Sequence, residues 1–392
     1  MRIAIVQVGW PIQSYTRDLV NGLVGQSHHV DFVAAAGDDR GMIEPGSMRG
    51  RVTLLQCSGI AADFRRRLRG RLAGLFHLDL PINPAAVLKE ADRFFSGQAR
   101  YDVLIGVEKA GLELADRHGR QTGTPVIYYS LELYVEGHPE QGRFAWQRAN
   151  EVACHARAQG TLIQDRFRWE VLRQANRIVG DAVYFLPIGI SAARNVSAPC
   201  RTRPAPTQSD CRLLSFGVQG KNRLTHELIA QAVHLPTGQR LQLHGPAYDS
   251  ETLRLAKGRL PVNVALCTRL LPEAELPALL AEADIGLALY RIDVANDRLT
   301  AYSSQKVALY LQAGLPVVAF RSEAFADMFS RFPCGELIDT LDDLGAAAQR
   351  ITDRYADYSR SARMAFDAIY DLTTYWPALT EFLAARSVVR SA

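Results

Sequence analysis

Two short apolar segments, residues 284–290 and 317–319, constrain the fold of this chain more than any other feature. Both are short enough to be buried strands, and a polar loop followed by a helical pattern separates them. Gly314 follows the helical pattern and ends it, so the second apolar segment can return as a strand. The order strand, loop, helix, strand is the repeating unit of a parallel α/β sheet.

The polar loop between these segments carries Ser303, Ser304 and Lys306 at the point where the helix should begin. A serine at this point can cap the helix, whose first backbone N–H groups have no partner within the helix. Those N–H groups and the positive end of the helix dipole attract anions, and the lysine adds a full positive charge. The pattern predicts a phosphate-binding site. An ordinary helix cap beside a solvated lysine is the alternative interpretation of the local sequence.

The same alternation of strands and helices runs through the whole chain of 392 residues in two successive series, which favours two domains. The first series spans residues 1–190, and the second spans residues 211–374. Between them, residues 191–210 hold three prolines among serine, threonine and arginine, a composition typical of an extended linker. We expect residues 375–392 to form a helix that packs back on the first domain. The predicted fold class is therefore α/β, with two doubly wound, Rossmann-like domains.

Further elements are predicted from the same apolar patterns. The strands lie at residues 2–8, 29–36, 52–57, 101–108, 124–132, 160–165, 184–190, 212–217, 241–245 and 262–267. The helices lie at residues 15–25, 110–119, 140–155, 166–176, 224–233, 272–283, 341–358, 361–370 and 376–386.

The candidate residues of the first domain follow its predicted strands, because open α/β sheets bind ligands at the carboxyl ends of their strands. Gly9 follows the first strand and forms a candidate ligand-binding loop with Trp10 and Ser14, although a tight turn explains Gly9 equally well. Glu108 and Glu132 end two consecutive strands and bring two carboxyl groups to the rim of the sheet. No GxGxxG pattern follows the first strand, so a dinucleotide cofactor is not predicted.

A basic segment with five arginines runs from Arg65 to Arg71. Such a segment can lie on an anionic membrane surface or bind an anionic substrate. Gly70 and Gly74 weaken any helix formed here, so a solvated loop is the alternative.

Composition excludes several classes of function. A net charge of +4 is too small for a chain of this length to predict a nucleic-acid partner, and six cysteines without CxxC spacing predict neither a zinc site nor disulfides. No pair of acidic residues typical of a metal site is evident. No apolar run approaches the roughly 18 residues of a membrane span, and Met1 leads directly into a strand rather than a signal peptide. We expect a cytoplasmic protein, with a peripheral membrane contact through the basic segment as an option.

In their order and spacing, four segments of the chain resemble the GT-B glycosyltransferases, specifically the large retaining family 4 group. These segments are residues 101–132 with a YDV strand and a P-V strand, 186–190 in the place of an IPNG motif, 214–217 in the place of a VGR strand, and 282–318 as the donor-site core. The resemblance covers nearly the whole chain and implies two domains facing each other across a cleft. It also implies sugar transfer from a nucleotide-diphosphate donor to a glycan, lipid-linked or small-molecule acceptor, with retention and without a metal ion or cofactor. Gly9, Trp10 and Ser14 would then lie on the acceptor side.

The chain departs from this family at the donor site, where typical members carry two glutamates eight positions apart. Counting back from Gly314 places Ala301 and Leu309 there. The chain resembles instead a Ser-Ser-x-Lys variant, in which the helix start and Lys306 would hold the diphosphate. The other donor-side candidates are Gly217, Lys221, Gly245, Tyr290, Ser303 and Ser304, with Tyr290, Asn296 and Asp297 considered for the ribose and the sugar.

The chemistry implied by the resemblance makes the leaving diphosphate gain negative charge, so electrostatic stabilisation is the largest contribution expected from this site. Glu132 stands where many family members carry a histidine. It would orient the acceptor or stabilise the cationic sugar, whereas an inverting mechanism would use Glu132 or Glu108 as general base. Both mechanisms stay open. So do two other functions: a nucleotide-sugar epimerase or hydrolase, and a non-catalytic partner subunit that has lost the glutamates.

Overall fold

The computed structural model describes residues 1–8, 14–35, 48–54, 84–135, 145–191 and 205–387 of the chain. The chain forms two compact units. Unit 1 contains Met1–Leu186 and Thr373–Ala392, whereas unit 2 contains Pro187–Leu372. Most of the predicted linker and the whole basic segment from Arg65 to Arg71 lie outside the described residues.

The described part of unit 1 is built on one parallel sheet. Its strands are β1 (Arg2–Val8), β2 (His29–Ala35), β3 (Arg51–Leu54), β4 (Val103–Val107), β5 (Val126–Tyr129), β6 (Gly160–Ile163) and β7 (Val183–Phe185). Its helices, apart from one near the C-terminus, are α1 (Ser14–Gly25), α2 (Pro84–Ser96), α3 (Glu108–Thr122), α4 (Ala145–His155) and α5 (Arg166–Asn176). The seven strands lie in the order β3-β2-β1-β4-β5-β6-β7, and every pair is parallel.

Unit 2 repeats this architecture with a second parallel sheet. Its strands are β8 (Cys211–Phe216), β9 (Gln239–His244), β10 (Val264–Cys267), β11 (Ile285–Ala288), β12 (Val317–Phe320) and β13 (Gly335–Ile338). Its helices are α6 (Thr225–Gln231), α7 (Ser250–Lys257), α8 (Leu276–Ala281), α9 (Ala295–Arg298), α10 (Gln305–Gln312), α11 (Glu323–Arg331), α12 (Leu344–Asp353) and α13 (Tyr355–Ala365). The six strands lie in the order β10-β9-β8-β11-β12-β13, all parallel. The predicted α/β class with two Rossmann-like domains is confirmed.

The last helix of the chain, α14 (Trp376–Ala384), belongs to unit 1. The ring of Trp376 lies against Gly22 of α1, where a Cβ would come within 2.4 Å of it. The hydroxyl of Tyr184 donates a hydrogen bond of 2.7 Å to the backbone oxygen of Tyr375. These contacts hold the C-terminal segment on the first sheet and its helices.

The structure corrects the predicted elements mainly in unit 2. Helices α2, α7, α9 and α11 and strand β13 were not predicted. All of these except α2 have nine residues or fewer and give too little periodicity to identify. The helix predicted over residues 341–358 is divided instead. Arg354, with a φ of −131°, separates α12 from α13. Residues Phe366–Tyr370 continue α13 as a π-helical turn rather than as a separate α-helix.

In each sheet, one pair of neighbouring strands is not consecutive in sequence. Strand β1 pairs with β4, with Gln7 beside Val107, and strand β8 pairs with β11, with Leu214 beside Gly286. These pairs mark the point where the strand order reverses, and α/β proteins bind ligands at the carboxyl ends of such strands. We call this place the switch point of each unit. Glu108 follows β4 at the switch point of unit 1.

Helix α3 packs with its backbone directly against the sheet, because glycines stand where the two surfaces meet. A Cβ on Gly106 would lie 2.5 Å from the Cα of Leu112, and a Cβ on Gly111 would lie 2.3 Å from the backbone oxygen of Val6. Nonbonded carbon atoms do not approach so closely in a packed interior. Larger residues would therefore separate α3 from the sheet and displace the start of α3, where Glu108 lies.

Replacing Gly111 by alanine should lower the free energy of unfolding of unit 1 by about 1–3 kcal/mol, since the new methyl group has no room without a shift of α3. Gly25 at the end of α1 is the matched control, because no atom lies within 4 Å of the position of a Cβ there. Urea unfolding followed by circular dichroism would measure both variants. Equal stability of Gly111→Ala and Gly25→Ala would contradict the close packing of α3.

Candidate functional site

Two glycines join the loops that follow β8 and β9 at the carboxyl edge of unit 2. Gly217 and Gly245 have φ values of 110° and 144°, a backbone region that residues other than glycine rarely adopt. A Cβ on Gly245 would lie 2.0 Å from the backbone oxygen of Gly217, so the loops touch backbone to backbone. The buried amide of Gln219 donates a 3.0 Å hydrogen bond to that same oxygen. Gly217 itself is exposed, and its backbone forms part of the surface at this edge.

The next turn, before α6, contains Arg223, a cation that was not among the residues predicted from the sequence. Thr225 accepts a hydrogen bond from the N–H of Gly220 at 2.9 Å, which fixes the turn before α6. In this turn Lys221 is exposed, whereas the guanidinium of Arg223 lies 3.3 Å from the carboxylate of Asp297. Arg223 stands two residues after the candidate Lys221, so its position in a basic turn at the sheet edge was the signal that could have found it.

Of the two serines at the start of α10, only Ser304 caps the helix. Its Oγ accepts a 3.4 Å hydrogen bond from the N–H of Val307 and is hydrogen-bonded at 2.5 Å to the hydroxyl of Tyr290. The hydroxyl of Ser303 instead donates to the backbone oxygen of Leu299 at 3.2 Å. Tyr290, which follows β11, is thereby connected to the first turn of α10.

Lys306 lies in that first turn with its ammonium over the ring of Tyr290, 4.6 Å from the ring centroid. The side chain is half-buried, and within the described ranges no hydrogen bond or ion pair reaches its Nζ. Burial, together with the positive charge of Arg223, lowers the pKa of Lys306 to about 7, and the carboxylate of Asp297 opposes this shift. When protonated, the side chain is thus a cation that has no counter-ion among the described residues.

These groups come together at the switch point of unit 2 and form a place suited to an anion. Lys306 and the N-terminal end of α10 supply positive charge and N–H donors, and Arg223 adds a second cation nearby. The exposed backbone of Gly217 follows β8, the strand paired with the one that precedes Tyr290. An anionic group with several oxygen atoms, such as a phosphate or diphosphate, fits this set of donors.

The positions of the two missing glutamates are occupied by apolar side chains. Ala301 is fully buried, and its backbone oxygen accepts a hydrogen bond from the hydroxyl of Tyr370. Leu309 is half-buried on α10. The acidic side chain that acts on Lys306 electrostatically is Asp297, four positions before Ala301, and it already pairs with Arg223.

In unit 1, Glu108 holds the chain segment that follows β5. It is the first residue of α3 and has a φ of +59°. Its Oε1 accepts hydrogen bonds from the backbone N–H groups of Leu131 at 2.6 Å and Glu132 at 2.9 Å. The side chain is buried, and burial raises the pKa of this carboxyl although Lys109 opposes the shift.

Lys109, the residue after Glu108, connects three acidic or carbonyl groups around this segment. Its Nζ lies 3.7 Å from the carboxylate of Glu108, 3.8 Å from that of Glu151 and 3.4 Å from the backbone oxygen of Glu132. The ammonium also lies 4.8 Å from the ring centroid of Tyr134. Lys109 could not be identified from the sequence, because nothing in a strand–helix boundary reveals which distant carboxylates will meet there.

Glu132 is half-buried, and both its backbone N–H and its backbone oxygen are held by Glu108 and Lys109. Close to it lies Tyr15, whose pKa is raised well above its usual value by burial and by the charges of Glu132 and Glu108. Ser14, an acceptor-side candidate, is buried at the start of α1. The other two acceptor-side candidates, Gly9 and Trp10, lie outside the described residues.

One family model matches part of the chain. Residues 258–370 match the model described as Glucosyltransferase 3-like, C-terminal domain. This range contains Tyr290, Ser304 and Lys306. It begins after Gly217 and Arg223, which therefore lie outside it. No curated protein sequence matches the chain.

Solved structures with similar folds extend over nearly the whole chain. Sucrose-phosphate synthase from Thermosynechococcus elongatus is 13% identical, with 98% of both chains covered and a TM-score of 0.71. HepE from Anabaena, in complex with UDP and glucose, is 15% identical over 98% of this chain and 99% of its own, with a TM-score of 0.64. WaaG, a glycosyltransferase involved in lipopolysaccharide biosynthesis, is 15% identical over 97% of this chain and 99% of its own, with a TM-score of 0.61. The predicted GT-B class, with its two Rossmann-like domains, is confirmed by these matches.

Two properties of the described residues bear on membranes and metals. None of their helices is both long and apolar enough to cross a membrane. They also contain no group of three or more histidine, cysteine, aspartate or glutamate side chains placed to hold a metal ion.

Replacing Glu108 by alanine should lower the free energy of unfolding by about 3 kcal/mol, because it leaves one buried and one partly buried backbone N–H group without an acceptor and removes one carboxylate from Lys109. Glu108→Gln keeps a side-chain oxygen that can accept from both N–H groups, so its loss should be smaller. Urea unfolding would give the stabilities. Hydrogen exchange at the amides of Leu131 and Glu132 should be faster in the alanine variant. Unchanged exchange there would contradict the role assigned to the Glu108 carboxylate.

Proposed function

We propose that this protein is a glycosyltransferase that takes a sugar from a nucleotide-diphosphate donor, and that unit 2 binds the diphosphate at Lys306. The observation that carries the proposal is the half-buried ammonium of Lys306, which has no counter-ion among the described residues and lies in the first turn of α10. A cation withdrawn from water without a partner is unfavourable unless a ligand supplies the opposite charge. The diphosphate of a nucleotide sugar supplies that charge.

The same groups suit the transfer reaction. When the anomeric C–O bond breaks, negative charge builds up on the departing diphosphate, and fixed positive groups stabilise that charge most when water is excluded. Lys306, the N–H groups at the start of α10 and Arg223 are the residues we assign to this role, with the backbone of Gly217 beside them. Lys221, Gly245 and Ser303 remain donor-side candidates. Lys221 would approach the ligand from the exposed turn.

The finer assignment follows the resemblance to the retaining family 4 group. The similarity to HepE supports a uridine nucleotide, because HepE structures contain UDP and UDP-glucose. The glucosyltransferase description of residues 258–370 supports a hexose donor. We further propose transfer with retention, no metal ion or cofactor beyond the donor, and a glycan or lipid-linked acceptor at the inner face of the membrane, reached from the cytoplasm with the help of the segment from Arg65 to Arg71.

In unit 1 we assign the acceptor side to the segment around Glu132. Its backbone is fixed by Glu108 and Lys109, so the direction of its side chain is set by the protein rather than by the ligand. Glu132 would orient the acceptor hydroxyl, or accept its proton if the reaction inverts. Glu108, whose carboxylate already accepts two backbone hydrogen bonds, would act by positioning Glu132.

Calorimetry with UDP, GDP and dTDP tests the donor site. We expect one of these nucleotides to bind, and Lys306→Ala to weaken that binding by at least about tenfold, as for the loss of a charged hydrogen bond of about 1.5–3 kcal/mol. Lys257→Ala is the matched control, because Lys257 is an exposed lysine at the end of α7 in the same unit. Unchanged nucleotide affinity in Lys306→Ala would refute the site, and no binding of any nucleotide would favour a degenerate partner subunit.

Turnover without an acceptor tests the reaction class. A transferase incubated with UDP-glucose alone should release glucose only slowly, and addition of a glycan or lipid-linked acceptor pool should raise the release of UDP because the acceptor provides the attacking hydroxyl. Product analysis by mass spectrometry would follow both. Stoichiometric conversion of UDP-glucose to an epimer or to free glucose, without any acceptor, would refute the transferase assignment and favour an epimerase or hydrolase.

A further inference from the structure

We infer that a nucleotide sugar binds at the Lys306 site together with one proton, which the amine of Lys306 takes from the solvent. The inference rests on the proposed function and concerns how the same site responds to pH. The step forms one Nζ–H bond and converts a neutral amine into an ammonium. The buffer supplies the proton, and no bond of the ligand breaks.

The first support is the surroundings of the amine before a ligand arrives. Lys306 is half-buried with its Nζ over the face of Tyr290, and the part of the chain seen in the structure offers that nitrogen neither a hydrogen bond nor an ion pair. The ammonium form loses part of its hydration here, and the ring of Tyr290 compensates for some of that loss. The neutral amine loses much less, so the protein favours it relative to an exposed lysine.

The second support is the balance of charge on the elements that face Lys306. Arg223 in the turn before α6 is a cation, and Asp297 of α9 is an anion whose carboxylate lies 3.3 Å from that cation. Tyr290 after β11 stays neutral, since burial raises the pKa of its hydroxyl to about 12. These groups together offer no net negative charge. The pKa of about 7 that burial and Arg223 give to Lys306 agrees with this balance.

A bound diphosphate reverses the balance. Two negative charges beside the amine favour its charged form, so the pKa of Lys306 rises when the ligand binds. Below pH 7 the amine is already charged and binding takes up little proton. Above pH 7 each binding event must also protonate the amine. The affinity should therefore be highest in mildly acidic solution and fall about tenfold for each pH unit above 7.

Calorimetric titration of the full-length protein with UDP-glucose measures this directly. Both phosphates of UDP-glucose are esterified and do not titrate near neutral pH, whereas a terminal phosphate has a pKa of about 6 and would add protons of its own. Titration at one pH in two buffers with different ionisation enthalpies, such as HEPES and Tris, gives the number of protons taken up per ligand. Phosphate buffer is avoided because it would compete for the site.

The expected uptake by the wild-type protein is larger at pH 8 than at pH 6, because the free amine is mostly neutral on the alkaline side of a pKa of about 7 and mostly charged on the acidic side. Lys306→Arg is the control, because a guanidinium stays charged throughout this range. If Lys306→Arg folds, as circular dichroism would show, it should bind without taking up a proton and with the same affinity at both pH values.

Binding of UDP-glucose at pH 8 without proton uptake would overturn the coupling and leave the proposed function standing. The same uptake in Lys306→Arg as in the wild type would also overturn it, since another group would then carry the proton. Failure of UDP-glucose to bind at pH 6 and at pH 8 would contradict the uridine donor of the proposed function, and the coupling at this site with it.

Discussion

The parallel pairing of β8 with β11 is the interaction on which the candidate donor site depends. Gly286 of β11 lies beside Leu214 of β8, and the ring of Tyr310 from α10 covers Gly286 so closely that a Cβ there would lie 2.4 Å from it. The hydroxyl of Tyr310 donates to the backbone oxygen of Leu214 at 2.8 Å. Helix α10 is thereby fixed to both strands at once, and Lys306 at its start is held at the switch point by the packing of its own helix.

Patterns of neighbouring residues were enough to predict the strands, the helices and the helix cap, because these features depend on residues close together in sequence. Alternating apolar runs and helical patterns predicted both Rossmann-like units, and a serine before an apolar helix predicted the cap that Ser304 forms. The contacts that define the candidate site are not local. Glu108 meets the N–H of Leu131 across 23 positions, and Arg223 meets Asp297 across 74. Such pairs follow from strand order and loop path, which residue spacing does not reveal.

Unit 1 uses buried charge to fix a backbone segment. The left-handed φ of Glu108 costs about 1–3 kcal/mol, and burying its carboxylate with Lys109 adds a desolvation penalty. Hydrogen bonds from Leu131 and Glu132 offset part of this cost. A hydrophobic pair would hold α3 to β5 without this desolvation penalty. What the charged arrangement adds is direction, because hydrogen bonds set the orientation of the segment that carries Glu132 and packing alone would leave it less defined.

Lys109 and Lys306 show two outcomes of withdrawing a lysine from water. Lys109 lies between the carboxylates of Glu108 and Glu151, so its charge is satisfied within the protein and its role is complete once the chain folds. Lys306 faces the ring of Tyr290, and Asp297, the carboxylate of the described residues that acts on it, already pairs with Arg223. Folding thus leaves the protonated form of Lys306 without a counter-ion among the described residues, at the edge where parallel sheets bind ligands. In the function proposed above, the diphosphate of the donor supplies the missing negative charge.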